Sequence, residues 1–311
     1  MGTLLLSLVA GVCLASPSDT ETPLPADLTE LSLEDLMDIE ITSVAKKAQK
    51  LSEAPAAVFV ITNDDLRRSG VTSIPEALRM VPGLEVARID ANKWAITSRG
   101  FNGRFSNKLL VMMDGRSLYT PLFSGVYWDM KDTLLEDIDR IEVIRGPGAA
   151  LWGANAVNGV INIITKRAED TQGGLVVAGA GTEERGFGAV RYGGKLGQDA
   201  YCRVYAKYFN RDDAVFASDE DASDEWDVLR GGFRMDWQGS GPDALTLQGD
   251  LYDGDTGETI ITKSLDPSEP PTFDEDNEIS GANLLGRWKH TISDTSEMAL
   301  QVYYDLSLIH I

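Results

Sequence analysis

Apolar and polar side chains alternate along most of the sequence after Thr171. Between Leu245 and Leu251 the odd positions carry Leu or Gly, whereas the even positions carry Thr, Gln and Asp. The same alternation runs from Asp227 to Gln238. A period of two is that of a β-strand, whose successive side chains point to opposite faces of a sheet. The C-terminal half is therefore predicted to form a sheet with one apolar and one polar face.

The lengths of the connections indicate what kind of sheet this is. The pattern divides into seven predicted strands, at 173–181, 185–195, 199–211, 225–238, 243–253, 278–291 and 296–306. Short connections at 196–198, 239–242 and 292–295 alternate with long acidic ones at 212–224 and 254–277. Outer-membrane barrels show this alternation because their periplasmic turns are tight and their outer loops are long. A soluble β-sandwich remains the alternative, but an antiparallel transmembrane β-barrel fits the loop lengths better.

Seven strands would form only part of such a barrel. Outer-membrane transporters with a plugged lumen have about 22 strands of about 10 residues each. We therefore expect this sequence to be a fragment of a longer protein, with residues 168–311 forming the start of the barrel.

Charge and composition argue against two classes of function, nucleic-acid binding and catalysis. The net charge of −21 argues against a nucleic-acid partner, which would require clustered Lys and Arg. His290 and His310 are the two histidines, and the sequence has neither a Ser/His/Asp or Cys/His arrangement nor a cluster with metal-ligand spacing. We expect no enzymatic activity, no cofactor and no metal site.

The N-terminal residues have the features of an exported protein. Leu4 to Ala15 is a short apolar run that ends in small residues, as a signal-peptidase site requires, so residues 1–15 are predicted to be a signal peptide. Residues 16–49 follow as a mobile periplasmic leader, which is rich in Pro, Ser, Thr, Asp and Glu over 16–31.

The pattern along residues 50–167 predicts a compact α+β domain. Val58 to Ile61 is a predicted buried strand, and Thr62 or Asn63 is expected to cap a helix that stops at Gly70. Ser73 is expected to cap the next helix, with Glu76 at the capping-box position. Short strands follow at 84–87, 94–97 and 109–113, the last one turned by Asp114-Gly115.

The segment 136–167 carries the most specific pattern in the chain. A strand from Ile141 to Ile144 leads into Arg145-Gly146-Pro147-Gly148, and a second strand from Gly159 to Thr165 follows a turn that contains Trp152. Three other motifs precede it in order: Val81-Pro82-Gly83-Leu84, Thr97-Ser98-Arg99-Gly100-Phe101 and Val111-Met112-Met113-Asp114-Gly115-Arg116. Together they resemble the plug domain of TonB-dependent outer-membrane receptors over about 39–167.

This resemblance implies an α+β plug domain followed by an antiparallel transmembrane β-barrel of 22 strands. It implies a receptor in the outer membrane of a Gram-negative bacterium, in contact with outer-membrane lipid. The expected function is active uptake of a scarce ligand such as a ferric siderophore, haem or cobalamin. The expected partners are TonB, with its inner-membrane energising complex, and a small extracellular ligand such as an iron chelate.

The resemblance also implies roles for individual residues. Arg99 and Arg145 correspond to plug arginines that pair with glutamates of the barrel wall. The segment Ile39 to Val44 is a candidate TonB box, a strand that would add to the partner's sheet; the alternative is that it forms the first plug strand. The candidate TonB-binding residues are Ile39, Glu40, Ile41, Thr42, Ser43 and Val44.

Aromatic residues of the predicted plug loops are candidates for ligand contact, with core packing as the alternative. They are Trp94, Phe101, Tyr119, Tyr127 and Trp128. Two other functions remain open at this point. One is an outer-membrane sensor or adhesin with plug architecture, and the other is a soluble periplasmic plug-like binding module.

Overall fold

The computed structural model describes residues 40–41, 49–50, 56–216, 218–261, 272–293 and 296–310. The predicted signal peptide and most of the predicted leader lie outside these residues. At the end of the predicted leader, β1 (Glu40–Ile41) and β2 (Gln49–Lys50) form a short antiparallel pair. No helix in the described ranges is long and apolar enough to cross a membrane.

An α+β domain follows, which is built around a five-stranded sheet. Its elements are β3 (Val58–Thr62), α1 (Asn63–Ser69), α2 (Ile74–Leu78), β4 (Leu84–Arg88), β5 (Trp94–Ser98), β6 (Leu109–Met113), β7 (Arg116–Ser117), β8 (Ile138–Arg145), α3 (Ala149–Trp152) and β9 (Gly159–Thr165). The sheet has the order β3-β8-β9-β6-β7, with β6 and β9 parallel, while β4 and β5 form a separate hairpin. Branched apolar residues fill its centre, since Ile141, Ile161 and Ile163 have no exposed surface.

The two helix starts differ from each other in how their caps form. Thr62 caps α1 as predicted: its hydroxyl accepts from the backbone N–H of Asp65, and the Asp65 carboxylate accepts in return from the backbone N–H of Thr62. Gly70 ends the helix in the left-handed conformation, at φ 71°. The capping box predicted at Ser73 is wrong, because Ser73 makes no side-chain cap bond and Glu76 pairs with Arg79 instead.

The remaining strands form a seven-stranded antiparallel sheet in sequence order, which we call the wall. They are β10 (Gly173–Gly179), β11 (Gly186–Leu196), β12 (Ala200–Arg211), β13 (Trp226–Gln238), β14 (Asp243–Ile261), β15 (Thr272–Ser293) and β16 (Ser296–His310). Strand β9 ends and β10 begins on either side of the predicted domain boundary at 167.

The long loop predicted at 254–277 is wrong over much of its length. Strands β14 and β15 continue their ladder through this segment, from Asp255 opposite Glu278 to Ile261 opposite Thr272. The β-branched residues Thr256, Thr259 and Ile260 favour an extended backbone here. The acidic side chains between them indicated a loop, but charge does not prevent strand pairing where the side chains reach water.

The two faces of the wall have the polarity expected of a barrel. Its outward residues are apolar and exposed, as shown by Leu229 at 56% and Leu251 at 62% exposure. Its inward residues lie against the α+β domain and include many polar ones, such as the buried Arg230 and Arg234, beside the apolar Phe209, Trp226 and Val228. A soluble sandwich would bury its apolar faces instead, so the structure confirms the predicted fold class.

Candidate functional site

Charged side chains fill the contact between the α+β domain and the wall, which we call the seam. At its centre, Asp137 of the α+β domain lies beside two wall arginines. Its Oδ1 accepts from Arg191 on β11, and its Oδ2 lies 3.2 Å from Nε of Arg203 on β12. The 3-10 turn Leu135–Asp137, which leads directly into β8, places this carboxylate at the wall.

A second cluster surrounds Asp114, in the turn between β6 and β7. Its Oδ1 accepts from the backbone N–H of Thr165, and its Oδ2 accepts from the Gln248 amide of β14 at 2.8 Å. Arg234 of β13 lies 3.8 Å from the same carboxylate, and Arg287 of β15 donates to the Asp114 backbone carbonyl. The turn adopts φ 50° at Asp114 and φ 80° at Gly115, which suits Asp and Gly.

A third set of contacts involves residues 130–133. Lys207 of β12 donates to Asp132 at 2.5 Å and to the Thr133 carbonyl at 3.1 Å. Arg230 of β13 donates to the Met130 carbonyl at 2.7 Å. In these three clusters the wall supplies the cations, whereas the α+β domain supplies the carboxylates and carbonyls. The opposite polarity occurs where Arg116 pairs with Asp305 of β16.

Sequence reasoning missed the residues of the seam clusters. The alternation of the strands could have predicted the wall partners. The residues whose side chains share the inward face of neighbouring strands include Arg203, Lys207, Arg230 and Arg234. No comparable period marks Asp114, Asp132 and Asp137, which lie in turns and irregular segments.

The two predicted plug arginines lie together, away from these clusters. Arg99 donates to the Arg145 carbonyl at 3.2 Å, and Arg145 donates to the Pro82 carbonyl at 2.6 Å. Among the described residues, neither arginine forms an ion pair with a carboxylate, and Arg145 Nε is buried with no hydrogen-bond acceptor. Their pairing with wall glutamates stays a prediction.

The five aromatic candidates separate into two groups. Trp94 and Trp128 are buried in the core, and the Trp94 ring meets that of Trp226 edge-on at 5.9 Å. For these two the structure favours the packing alternative. Phe101 is 90% exposed, and Tyr127 extends an aromatic chain in which Phe123 lies 5.0 Å from both its ring and that of Phe105.

Tyr119 and Tyr127 line one cavity. This cavity has a volume of about 400 Å³ and lies between residues 118–131 and β16, where Lys131 and Asp305 supply its charged lining. The Tyr119 hydroxyl donates to the Leu109 carbonyl at 3.0 Å, and burial raises the pKa of this phenol to about 12. The structure therefore brings together two of the predicted ligand-contact residues on a partly apolar surface.

Only part of the candidate TonB box falls within the described chain. Glu40 and Ile41 are extended and pair with Lys50 and Gln49, respectively. Ile39 and Thr42 to Val44 lie outside the described residues.

Comparison with known proteins assigns a family to this arrangement. Residues 50–160 match the family model of the TonB-dependent Receptor Plug Domain. The vitamin B12 transporter BtuB of Vibrio vulnificus is 32% identical over 148 residues, which cover 47% of this chain and 23% of that protein. BtuB of Vibrio cholerae is 35% identical over 134 residues, which cover 43% of this chain and 21% of that protein.

Solved structures share the fold at low sequence identity. The ferripyoverdine receptor of the outer membrane of Pseudomonas aeruginosa matches with a TM-score of 0.67 and 18% identity, over 86% of this chain and 36% of that one. The copper transporter OprC matches with a TM-score of 0.60 and 17% identity, over 80% of this chain and 37% of that one.

The α+β domain thus matches the plug domain over residues 50–160, and the comparisons support a fragment of one of the TonB-dependent receptors. These are transporters and receptors of the Gram-negative outer membrane rather than enzymes, and this chain is assigned to that membrane. It spans less than a quarter of the length of the curated relatives cited above.

Proposed function

We propose that the full-length protein is a TonB-dependent outer-membrane receptor for active uptake of a scarce ligand, with no covalent reaction. The observation that carries this proposal is the seam, where a plug domain is bonded through charged groups to the polar face of a wall whose other face is apolar. Apolar packing contributes as well, because Phe209, Trp226 and Val228 of the wall join the buried core of the plug. The hydrogen bonds and ion pairs of the seam are the part of the contact that water can replace when the plug is displaced.

The ligand is proposed to bind on the extracellular side of the plug. The exposed Phe101 and the cavity that contains Tyr119 and Tyr127 offer aromatic surface for an organic ligand body. A ferric siderophore, haem or cobalamin each presents such a body around a metal. The names of the similar proteins include vitamin B12 and ferripyoverdine, which fits this class of metal-containing ligand without selecting one member.

TonB is proposed to bind Ile39 to Val44 and to be energised by the inner-membrane complex. Support comes from the extended backbone of Glu40 and Ile41, which pair with Lys50 and Gln49 in a short two-stranded ladder. Each backbone bond formed with the partner would contribute about 0.5–1.5 kcal/mol net. Five or six such bonds would make the interaction with TonB strong enough to transmit force and still reversible.

Arg99 and Arg145 are proposed to fasten the plug to glutamates elsewhere in the wall. Support comes from their proximity, since Arg99 bonds to the backbone of Arg145, and from the buried Arg145 Nε, which has no acceptor among the described residues. Arg145 is half-buried, and a carboxylate would give its Nε a stronger partner than a neutral acceptor.

Uptake by cells that produce the full-length protein tests the proposal. A deletion strain is supplied with labelled ferric siderophores, haem and cobalamin, with and without collapse of the proton gradient. We expect energy-dependent uptake of one ligand class, lost in Ile41→Pro, which removes a backbone donor, and kept in the control Ile41→Val. Equal uptake by Ile41→Pro at normal expression would remove the TonB-box assignment while leaving the receptor assignment intact.

The sensor or adhesin alternative predicts a different result from the same strains. Ligand binding to cells would persist in the absence of uptake, and collapse of the gradient would change nothing. The outward apolar face of the wall opposes the soluble periplasmic module, because such a module would expose this surface to water.

A further inference from the structure

The tip of the β4–β5 hairpin joins the plug to a loop of the wall. The connection 212–225, between β12 and β13, is one of the long connections that face the cell exterior in this family. The backbone N–H of Ala91, at the hairpin tip, donates to Asp224 Oδ2 at 2.6 Å. The Asn92 amide donates to the Asp224 carbonyl at 3.0 Å and to the Gly257 carbonyl of β14 at 2.9 Å.

Asp224 also bonds to the opposite arm of its own loop. Asp224 Oδ1 accepts from the backbone N–H of Ala214 at 2.7 Å, on the opposite arm of the loop. The Asp213 carboxylate accepts from the backbone N–H groups of Asp224 at 2.8 Å and Glu225 at 3.0 Å. One carboxylate therefore bonds with one oxygen to the plug and with the other to the loop.

Both side chains are buried where an unmet hydrogen bond is costly. Asp224 is 2% exposed and Asn92 is 1% exposed, although much of the loop around them is open to solvent. A buried carboxylate needs its donors, and it can keep all of them only while loop and hairpin hold their mutual position. Neither segment can move away without leaving a buried polar group of the other unpaired.

We propose that Asp224 and Asn92 couple the extracellular loop 212–225 to the β4–β5 hairpin of the plug, so that the two segments become ordered and released together. Coupling between two sites is reciprocal. A ligand that fixes the loop stabilises the hairpin tip, and displacement of the tip during transport frees the loop. The coupling itself requires only the fold, so it can hold or fail independently of the transported ligand.

Other contacts at the tip define what the test must separate. Arg88 at the end of β4 pairs with Glu183 of a different loop, and Lys93 lies 3.1 Å from Asp90 within the hairpin and 3.9 Å from Glu258 of β14. These contacts hold the hairpin near the wall but do not reach loop 212–225. Asn92 itself has two further links: its Oδ1 accepts from Lys93 Nζ at 2.8 Å, and the Gly257 residue to which it donates bonds to the Glu225 carbonyl at 2.7 Å. Loosening of the loop in Asn92→Ala therefore reports on all contacts of Asn92, and Asp224→Asn tests the direct bond to the hairpin tip.

Hydrogen exchange measured on the full-length receptor in detergent tests the proposal. Asn92→Ala changes only the plug, and we expect at least tenfold faster exchange both at residues 89–93 and in loop 212–225. Asp224→Asn changes only the loop and removes one of two acceptor oxygens, so we expect faster exchange in both segments again. Asp221→Asn is the matched control, because its side chain is exposed in the same loop.

Faster exchange confined to the substituted segment, or no change in either segment, overturns the coupling. If Asp224→Asn fails to assemble, as judged by loss of heat-modifiable migration, the neutral Asn92→Ala variant answers the same question. The uptake assay is independent of this result, so a receptor that transports normally with uncoupled segments would refute this inference and keep the proposed function.

Discussion

Arg203 Nε of the wall lies 3.2 Å from Asp137 Oδ2 of the plug, and the two side chains are 6% and 1% exposed. Asp137 also pairs with Arg191, so a single plug carboxylate faces two wall guanidinium groups. The seam therefore depends more on this carboxylate than on either arginine.

Asp137→Asn is expected to destabilise the seated plug by about 3–5 kcal/mol, because it leaves two buried guanidinium groups without their shared counter-charge. The measurement is urea-induced release of the plug in the full-length receptor, followed by protease accessibility of residues 130–145. Asp139→Asn is the control, because Asp139 is 45% exposed and pairs with Arg140 within the plug. We expect less than about 1 kcal/mol from this surface pair. Equal effects of the two substitutions would show that the seam does not depend on Asp137.

The wall and its orientation could be predicted from the sequence because they follow from a strict local period. Leu245, Leu247 and Leu251 are all at least 37% exposed on the outward face, as the alternation requires. The extension of β14 and β15 was missed because acidic residues signal solvent exposure and not backbone conformation. An exposed strand and an exposed loop can therefore carry the same acidic residues.

The seam could not be predicted in the same way, because its contacts join residues far apart in the chain. Lys207 meets Asp132 across 75 positions, and no local pattern encodes that distance. Trp94 shows the converse problem. Its place among the aromatic residues of the predicted plug loops made it a ligand-contact candidate, but the β4–β5 hairpin packs against the wall and buries the ring beside Trp226.

A double-mutant cycle on Lys207 and Asp132 should reveal strong coupling. Each single change, Lys207→Met or Asp132→Asn, leaves a partner charge behind in a largely buried site. The double variant leaves no such charge, so its loss of stability should fall short of the sum by about 0.5–3 kcal/mol. Plug release in urea again supplies the free energies. Additive losses would mean that the two groups interact with water or other residues more than with each other.

Plug stability should depend on pH through Asp129. Burial raises the pKa of this carboxyl from 3.8 to about 6, although Arg104 and Lys93 partly oppose the shift. A group with a higher pKa in the folded state binds its proton more tightly there, so it stabilises the fold fully at low pH and loses that contribution as pH rises through about 6. Relative to Asp129→Asn, the wild-type plug should therefore gain stability as the pH falls from 7 to 5.

Urea release of both proteins over this pH range measures the difference directly. Comparing the two proteins cancels the titration of the other carboxylates, which is the same in each. A constant difference between wild type and Asp129→Asn across the range would contradict the raised pKa.

The outward face of the wall should tolerate charge only outside the membrane. Val204 on β12 is 53% exposed on the apolar face, while Val215 in loop 212–225 is 62% exposed. Val204→Arg should destabilise the folded barrel by about 2–4 kcal/mol if it lies near the bilayer midplane, because the guanidinium must then enter hydrocarbon. Val215→Arg should change the stability by less than about 0.5 kcal/mol. Equilibrium urea titration of the full-length receptor in lipid vesicles gives both free energies. Similar values for the two variants would contradict a membrane-facing position for Val204.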